Sequence, residues 1–427
     1  MSEAAATLTM PGYVPRIAGR EVEGALGRRG AVLVEGVRGC GKTWMARHFA
    51  RSEVRLDDEA ALLLAASDPA QVLQGPVPRL LDEWQNAPQL WNRVRRECDD
   101  RPEPGQFILT GSAAPQDDVT RHTGTGRISR VLLRPMSLWE TGNSTGVASL
   151  KKMFEGETVS VLPSKQPGLR YIASAVCVGG WPQNLGLSED DAMLSVGDYL
   201  SEIIRVDIPT ASGVRHDPTM VRRLMQSLSL NVATEAKMTK LASDMDIGHP
   251  PGRNTVAAYL DALRRIYVAE DQPAWSVNLR SKATLRREAK RHFVDPSLAA
   301  AMLRATPERL LFDPTAFGAL FESLAVRDLR IYSQAQQAST FHYRDNTGLE
   351  ADAIIERADG RWIAAEIKLN PRPNAIDRAA KALLRLKDKT THQRAASLAA
   401  LVVITPTGAA YRRPDGVQVA PITALGP

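Results

Sequence analysis

The chain has 427 residues, 44% hydrophobic and 24% charged, with a formal net charge of +6, a length that predicts about three domains and a composition that excludes a low-complexity or largely disordered protein. Cys40, Cys98 and Cys177 are widely spaced and odd in number, which argues against a disulfide framework or a Cys-type zinc site. With no apolar run near the roughly 18 residues of a membrane span and no basic-then-apolar leader, a cytoplasmic protein without membrane contact is expected.

The first strong signal follows a strand expected over residues 31–34. Gly36-Val37-Arg38-Gly39-Cys40-Gly41-Lys42-Thr43 fits G-x-x-x-x-G-K-[ST] without a mismatch. Such a loop curls its backbone N–H groups around a triphosphate, with Lys42 on the outer phosphates and the Thr43 hydroxyl on Mg²⁺. A helix expected from about Lys42, with Trp44 in its first turn, turns its positive end to the same anion. ATP and Mg²⁺ are therefore the expected cofactors.

A short strand is expected over 54–58, a helical run to 66, and a strand over 79–82 that ends in Asp82-Glu83, forty residues after Lys42. Asp82 is expected to hold Mg²⁺ through water and Glu83 to orient or deprotonate the attacking water. The next strand, 106–110, ends at Gly111-Ser112, so Thr110 or Ser112 is expected to sense the terminal phosphate at the ligand-binding edge of the sheet. Among Arg121, Arg127, Arg130 and Arg134, the preferred cation for the departing charge is Arg127, which follows Gly126 and precedes a strand over 128–133. Its action within one subunit or across an interface stays open.

The loop, Asp-Glu-Trp-Gln at 82–85, Leu-Thr-Gly-Ser at 109–112, Gly126-Arg127 and Arg134-Pro135-Met136-Ser137-Leu138-Trp139-Glu140 resemble the bacterial and archaeal AAA-type ATPases whose C-terminal half is a domain of unknown function. Gly179-Gly180-Trp181-Pro182 and the stretch 199–207 extend the resemblance over nearly the whole chain. It implies an ATPase core. Trp84 stands where an aliphatic residue is usual, and 142–167 resembles an insertion.

Beyond Pro209, helices are expected over 220–230, over 234–245 and from Arg253, the last with Val256, Leu260, Leu263 and Tyr267 on one face. Strand 274–279 would supply a wing. In a winged helix the third helix reads DNA, here with Arg253, Asn254 and Arg264. A lid or docking module is the alternative, and Asp261 shares the exposed side.

In the last third, Phe317 to Glu322 lies in a helical run, a hairpin turns at Asn346-Thr347-Gly348, and a strand covers 362–369. These elements carry Glu322, Asp352, Glu366 and Lys368. Converging carboxylates can hold Mg²⁺ and a neighbouring lysine can steady a water. The arrangement resembles the PD-(D/E)XK nuclease fold, with Glu366-Ile367-Lys368 as acid-x-lysine and Glu350-Ala351-Asp352 in place of the usual Pro-Asp. A helix over 375–389 and a strand over 398–404 complete an α/β unit. Two basic clusters, 280–292 with six Lys/Arg against one acid and 372–394 with seven against two, fit a solvated helix face or a nucleic-acid contact.

The expected class is α/β: a P-loop ATPase core with a parallel sheet over 1–142, a connecting helical segment over 143–215, a winged-helix-like domain over 216–300 and a restriction-endonuclease-like domain over 301–427. The leading reading is a Mg²⁺-dependent ATPase whose cycle controls a nucleic-acid-facing C-terminal half. The alternatives are a nucleotide-switched DNA- or protein-binding module with an inactive nuclease-like scaffold, and an ATP-gated metal-dependent nuclease. DNA, another copy of the chain and a protein client all remain candidate partners.

Overall fold

A computed structural model describes residues 8, 11–112, 124–159, 167–208, 217–246, 248, 251–277 and 287–427. Within these the chain packs as two units: one from 1–135, 207–215 and 262–267, the other from 136–206, 216–261 and 268–427. The segments expected as three domains after residue 142 thus contribute mainly to the second unit. No helix among the described residues is long and apolar enough to cross a membrane.

The first unit is built on β1 (Ala31–Glu35), β2 (Ser52–Arg55), β3 (Arg79–Asp82), β4 (Phe107–Gly111) and β5 (Ile128–Leu132), in the order β2-β3-β4-β1-β5 with every pair parallel. Covered on both faces, the central strands are continuous apolar runs, as parallel sheets require. The helix α1 (Lys42–Phe49) follows β1 across a tight loop. The acids expected to end the second strand do something else: Leu56 is buried, and Asp58 caps the helix Glu59–Ser67 by accepting from Ala61 N at 3.0 Å. Trp84 is buried against Trp91, ring centroids 4.9 Å apart, which accounts for an aromatic where an aliphatic residue was expected.

The helices Pro218–Leu230, Met238–Asp244 and α2 (Arg253–Arg265) correspond to the three expected in the middle, with two corrections. The second starts four residues late, because Ala233 N donates to Arg291 O and Arg291 N to Thr234 O, drawing 233–234 into strand-like pairing. Tyr267 lies beyond the end of α2 with φ 61°. The expected wing is attached differently as well: Gln272 pairs antiparallel with Lys290, and Ala274 joins the edge of the C-terminal sheet beside His342. Its residues 278–279 lie outside the described residues, as do Arg121 and 280–286 of the first basic cluster.

The helix α3 (Pro314–Ala335) leads into β6 (Ala338–Arg344), β7 (Glu350–Arg357), β8 (Trp362–Ile367), α4 (Pro373–Lys389), β9 (Leu398–Thr405), β10 (Tyr411–Arg412) and β11 (Gln418–Pro421). The sheet order is β10-β11-β9-β8-β7-β6, antiparallel from β6 to β8 and parallel from β8 to β9, where α4 makes the crossover. The Asp345 carboxylate accepts from Thr347 N at 2.8 Å and Leu349 N at 3.1 Å, forming the expected turn. Trp275, Ile354, Trp362, Leu383, Leu401 and Val403 belong to the apolar core beneath.

Two motifs that carried the family resemblance are ties within the second unit. Met136 N donates to Gly180 O at 2.6 Å, so close that a β-carbon on residue 180 would be driven into the Met136 carbonyl; only glycine fits. Gly180 N reaches Asp295, which with Asp328 clasps the buried Arg327 guanidinium, both pairs at 2.8 Å, and Asp328 accepts from Leu138 N. The segment resembling an insertion is integrated too, since Ala148–Ser149 pairs with Leu425–Gly426 and Val159 N donates to Gln418.

Candidate functional site

The loop after β1 lies at the carboxyl edge of the parallel sheet, where ligands bind in open α/β folds. Gly36, Gly39 and Gly41 hold φ of 153°, 77° and 99°. At Gly36 a side chain would strike the Leu133 carbonyl, so the curl depends on its absence. Lys42 is buried at 5% exposure and its Nζ donates to Val37 O at 2.9 Å, which folds the ammonium over the loop. Arg16 ties the loop down, donating to Cys40 O and Arg134 O, each at 2.7 Å. The Cys40 thiol is fully buried and donates to Leu133 O at 3.3 Å. Burial raises its pKa against the opposing charges of Lys42 and Arg16, which disfavours the reactive thiolate. Trp44 is exposed on the first turn of α1, and Val37 is buried while Arg38 is exposed.

The parallel register brings the tips of β3 and β4 to this edge. Thr43 Oγ1 donates to Asp82 Oδ1 at 2.8 Å and Thr110 Oγ1 donates to the same oxygen at 2.5 Å. A hydroxyl and a carboxylate in contact form a hard oxygen donor set that suits Mg²⁺. Glu83 holds a left-handed backbone, φ 56°, and its N–H donates to Thr110 Oγ1 at 3.1 Å. Strain of that kind in a non-glycine residue persists only where neighbours enforce it. Thr110 therefore links the Asp82 carboxylate to the Glu83 main chain, whereas Ser112 lies 3.4 Å from the Glu83 carboxylate. Gln85 Nε2 also donates to that carboxylate. Neither Gln85 nor Arg16 stood out in the sequence as a site residue; the signal for Gln85 was a polar group two positions past Glu83.

Arg127 is not brought to this edge. Ile128 pairs with Ala31 and Leu132 with Glu35, so Arg127 precedes β5 at the amino edge, where it meets Asp99 at 2.8 Å. Five residues of strand put it about 16 Å from the loop, beyond its reach in its own subunit. Arg130 pairs with Glu35 at 2.8 Å.

In the second unit, the four predicted residues do converge, and a fifth joins them. Asp352 precedes the Ala353 to Ala365 pair of β7 and β8 by one position, which puts it beside Glu366. Lys368 Nζ lies 3.0 Å from Asp352 Oδ2 and 2.5 Å from Glu366 Oε2. Lys290 Nζ lies 2.5 Å from Glu322 Oε1 and 3.3 Å from Asp352 Oδ1. Burial, followed by the Asp352 charge, pushes Glu366 up to about 8 and Glu322 up to about 7. Burial would raise Asp352 too, but Lys290 and Lys368 hold it below the usual carboxylate range. Among the described residues no group of three His, Cys, Asp or Glu side chains is gathered as a metal ion requires. The expected Mg²⁺ at Glu322, Asp352 and Glu366 thus does not fit, because ammonium groups stand among the carboxylates. Lys290 and Arg291, expected in a cluster that forms a solvated helix face or a nucleic-acid contact, are instead both buried and ion-paired, Arg291 with Asp271 at 2.6 Å.

Three family models match the chain in succession. Residues 28–142 match the AAA domain, residues 169–309 a domain of unknown function (DUF8612) and residues 317–425 a domain of unknown function (DUF4143). Two proteins described as uncharacterized, from Mycobacterium tuberculosis and Mycobacterium bovis, are each 24% identical over 412 residues, which cover 95% of this chain and 83% of theirs. Among solved structures, a Walker-type ATPase of Pyrococcus abyssi aligns at TM-score 0.44 and 13% identity, covering 70% of this chain and 99% of that one. The replication initiator DnaA bound to AMPPCP and single-stranded DNA aligns at TM-score 0.29 and 12% identity, covering 60% of this chain and 91% of that one. Residues 28–142 are a P-loop AAA-type ATPase-like domain.

Proposed function

We propose that the chain is a Mg²⁺-dependent ATPase whose nucleotide cycle controls a nucleic-acid-facing C-terminal half. The observation that carries this reading is the contact of Thr43 Oγ1 with Asp82 Oδ1 at 2.8 Å, with Glu83 next in the chain. The loop amides and Lys42 bind the phosphates, and Thr43 and Asp82 would hold Mg²⁺, whose charge would offset that of the outer phosphates. Glu83 orients or deprotonates the attacking water, Gln85 and Ser112 hold its carboxylate, and Thr110 ties its main chain to Asp82. Calorimetry with ATP and Mg²⁺, followed by phosphate release, tests the reading: Glu83→Gln keeps ATP bound and loses turnover.

For the client side, Arg378, Lys381 and Arg385 stand exposed on α4, opposite the face that buries Ile376, Ala379, Leu383 and Leu386. Arg253 and Asn254 are exposed at the start of α2. Both stripes fit a phosphate backbone. A second reading, a nucleotide switch with negligible turnover, draws on Gln85 and Ser112 both engaging the Glu83 carboxylate, which leaves it less free to accept a proton. Under that reading the wild-type chain binds ATP and releases no phosphate.

A further inference from the structure

The cluster in the second unit brings together three carboxylates and two ammonium groups. Asp352 is engaged at both oxygens: Oδ1 faces Lys290, while Oδ2 accepts from Ile367 N at 2.8 Å and Lys368 Nζ at 3.0 Å. Lys290 bridges Glu322 on α3 to Asp352 on β7, the position at which one cation touches both. It is no surface side chain that has drifted inward. Its backbone pairs with Gln272 in both directions, at 2.9 and 3.0 Å, and Gln272 Nε2 donates to Phe341 O and Asp352 O. The segment bearing Lys290 is therefore fastened to β6 and β7 by main chain and side chain together. Its residue exposure is 7%, so the ammonium has exchanged water for carboxylates.

We propose that Lys290 is the chain's own cation in this cluster, occupying the place a divalent ion would take, and that the domain as folded is a metal-free scaffold whose latent cation site opens when that ammonium is removed. Two carboxylates already neutralised by ammonium groups at hydrogen-bond distance offer a dication little net charge, and a metal would have to displace a fastened lysine. This inference rests on the side chains of the second unit and not on ATP hydrolysis.

The test is Mn²⁺ binding to the full-length, nucleotide-free chain, followed by electron paramagnetic resonance and calorimetry. All samples carry Asp82→Asn, so that the loop site does not contribute. That background chain is expected to show no Mn²⁺ site tighter than about 1 mM. Adding Lys290→Met creates one site at least about tenfold tighter, and Asp352→Asn in that variant removes it. Lys290→Gln, which retains a hydrogen-bond donor, gains the same site more weakly and serves if Lys290→Met does not fold. Should neither variant fold, refolding by millimolar Mn²⁺ supports the proposal and failure of Mn²⁺ to restore the fold overturns it. A site in the background chain that Asp352→Asn abolishes also overturns it, as does a folded Lys290→Met chain that gains none. Phosphate release from the same chains with Asp82 intact reports on the ATPase reading separately.

Discussion

Lys42 and Lys290 are both buried ammonium groups, and they face opposite partners. Lys42 turns to a carbonyl of its own loop, Val37 O, while the nearby Asp82 is held by the hydroxyls of Thr43 and Thr110. Lys290 turns to two carboxylates. In the first unit the lysine and the acid are kept apart from each other, so each can serve a ligand: the lysine an anion, the acid a cation. In the second unit lysine and acid satisfy one another. The comparison teaches that acids and lysines in a motif's order do not make a site; what each ammonium already bonds decides it.

The largest expected effect breaks the comparison at the first lysine. Lys42→Ala should lower ATP affinity and turnover by at least about 100-fold, read by calorimetry and phosphate release. If Lys290→Met did the same, the two clusters would not be separate devices.

A smaller effect concerns the client side. Replacing Arg378, Lys381 and Arg385 with alanine should lessen the slope of log affinity for DNA against log salt by about 2 to 3, measured by fluorescence anisotropy. An unchanged slope removes α4 from the nucleic-acid reading. Gly36→Ala should then weaken ATP binding and lower stability by about 1–3 kcal/mol, because the added carbon meets the Leu133 backbone and only movement of the loop relieves it. Thermal unfolding and ATP titration check it.

The smallest effect sharpens the second cluster. Glu366 has a folded-state pKa raised to about 8 from 4.5, so between those values the folded chain holds a proton that the unfolded chain has released. The stability tied to this proton is complete below about pH 4.5 and lost as pH rises through about 8. Glu366→Gln should flatten the decline of urea midpoints from pH 5 to pH 8. An equally steep decline in the variant would remove Glu366 from the cluster's titration.

Much of the first site was legible in the sequence because its chemistry is local: Gly36 to Thr43 are contiguous, and Asp82-Glu83 and Thr110 each end an apolar strand whose parallel register brings the tips together. Arg127 shows the limit. It does precede a strand, but a parallel strand has two ends, and the pairing of β5 with β1 puts this residue at the amino end. In the C-terminal unit the order of Glu322, Asp352, Glu366 and Lys368 was enough to anticipate their convergence. Lys290 was not foreseen, since nothing in a run of basic residues distinguishes the one that main-chain pairing with Gln272 turns inward. Gln85 was hidden for a different reason: its role depends on a left-handed turn at Glu83, a conformation no residue pattern there announces.

Phosphate release with ATP and Mg²⁺, compared between the wild-type chain and Glu83→Gln with ATP occupancy measured on both, tests the central claim most directly. The account predicts steady release by the wild type and a loss of at least about 100-fold in the variant, with ATP still bound. Absence of release by a wild-type chain that binds ATP, or undiminished release by the variant, would contradict it.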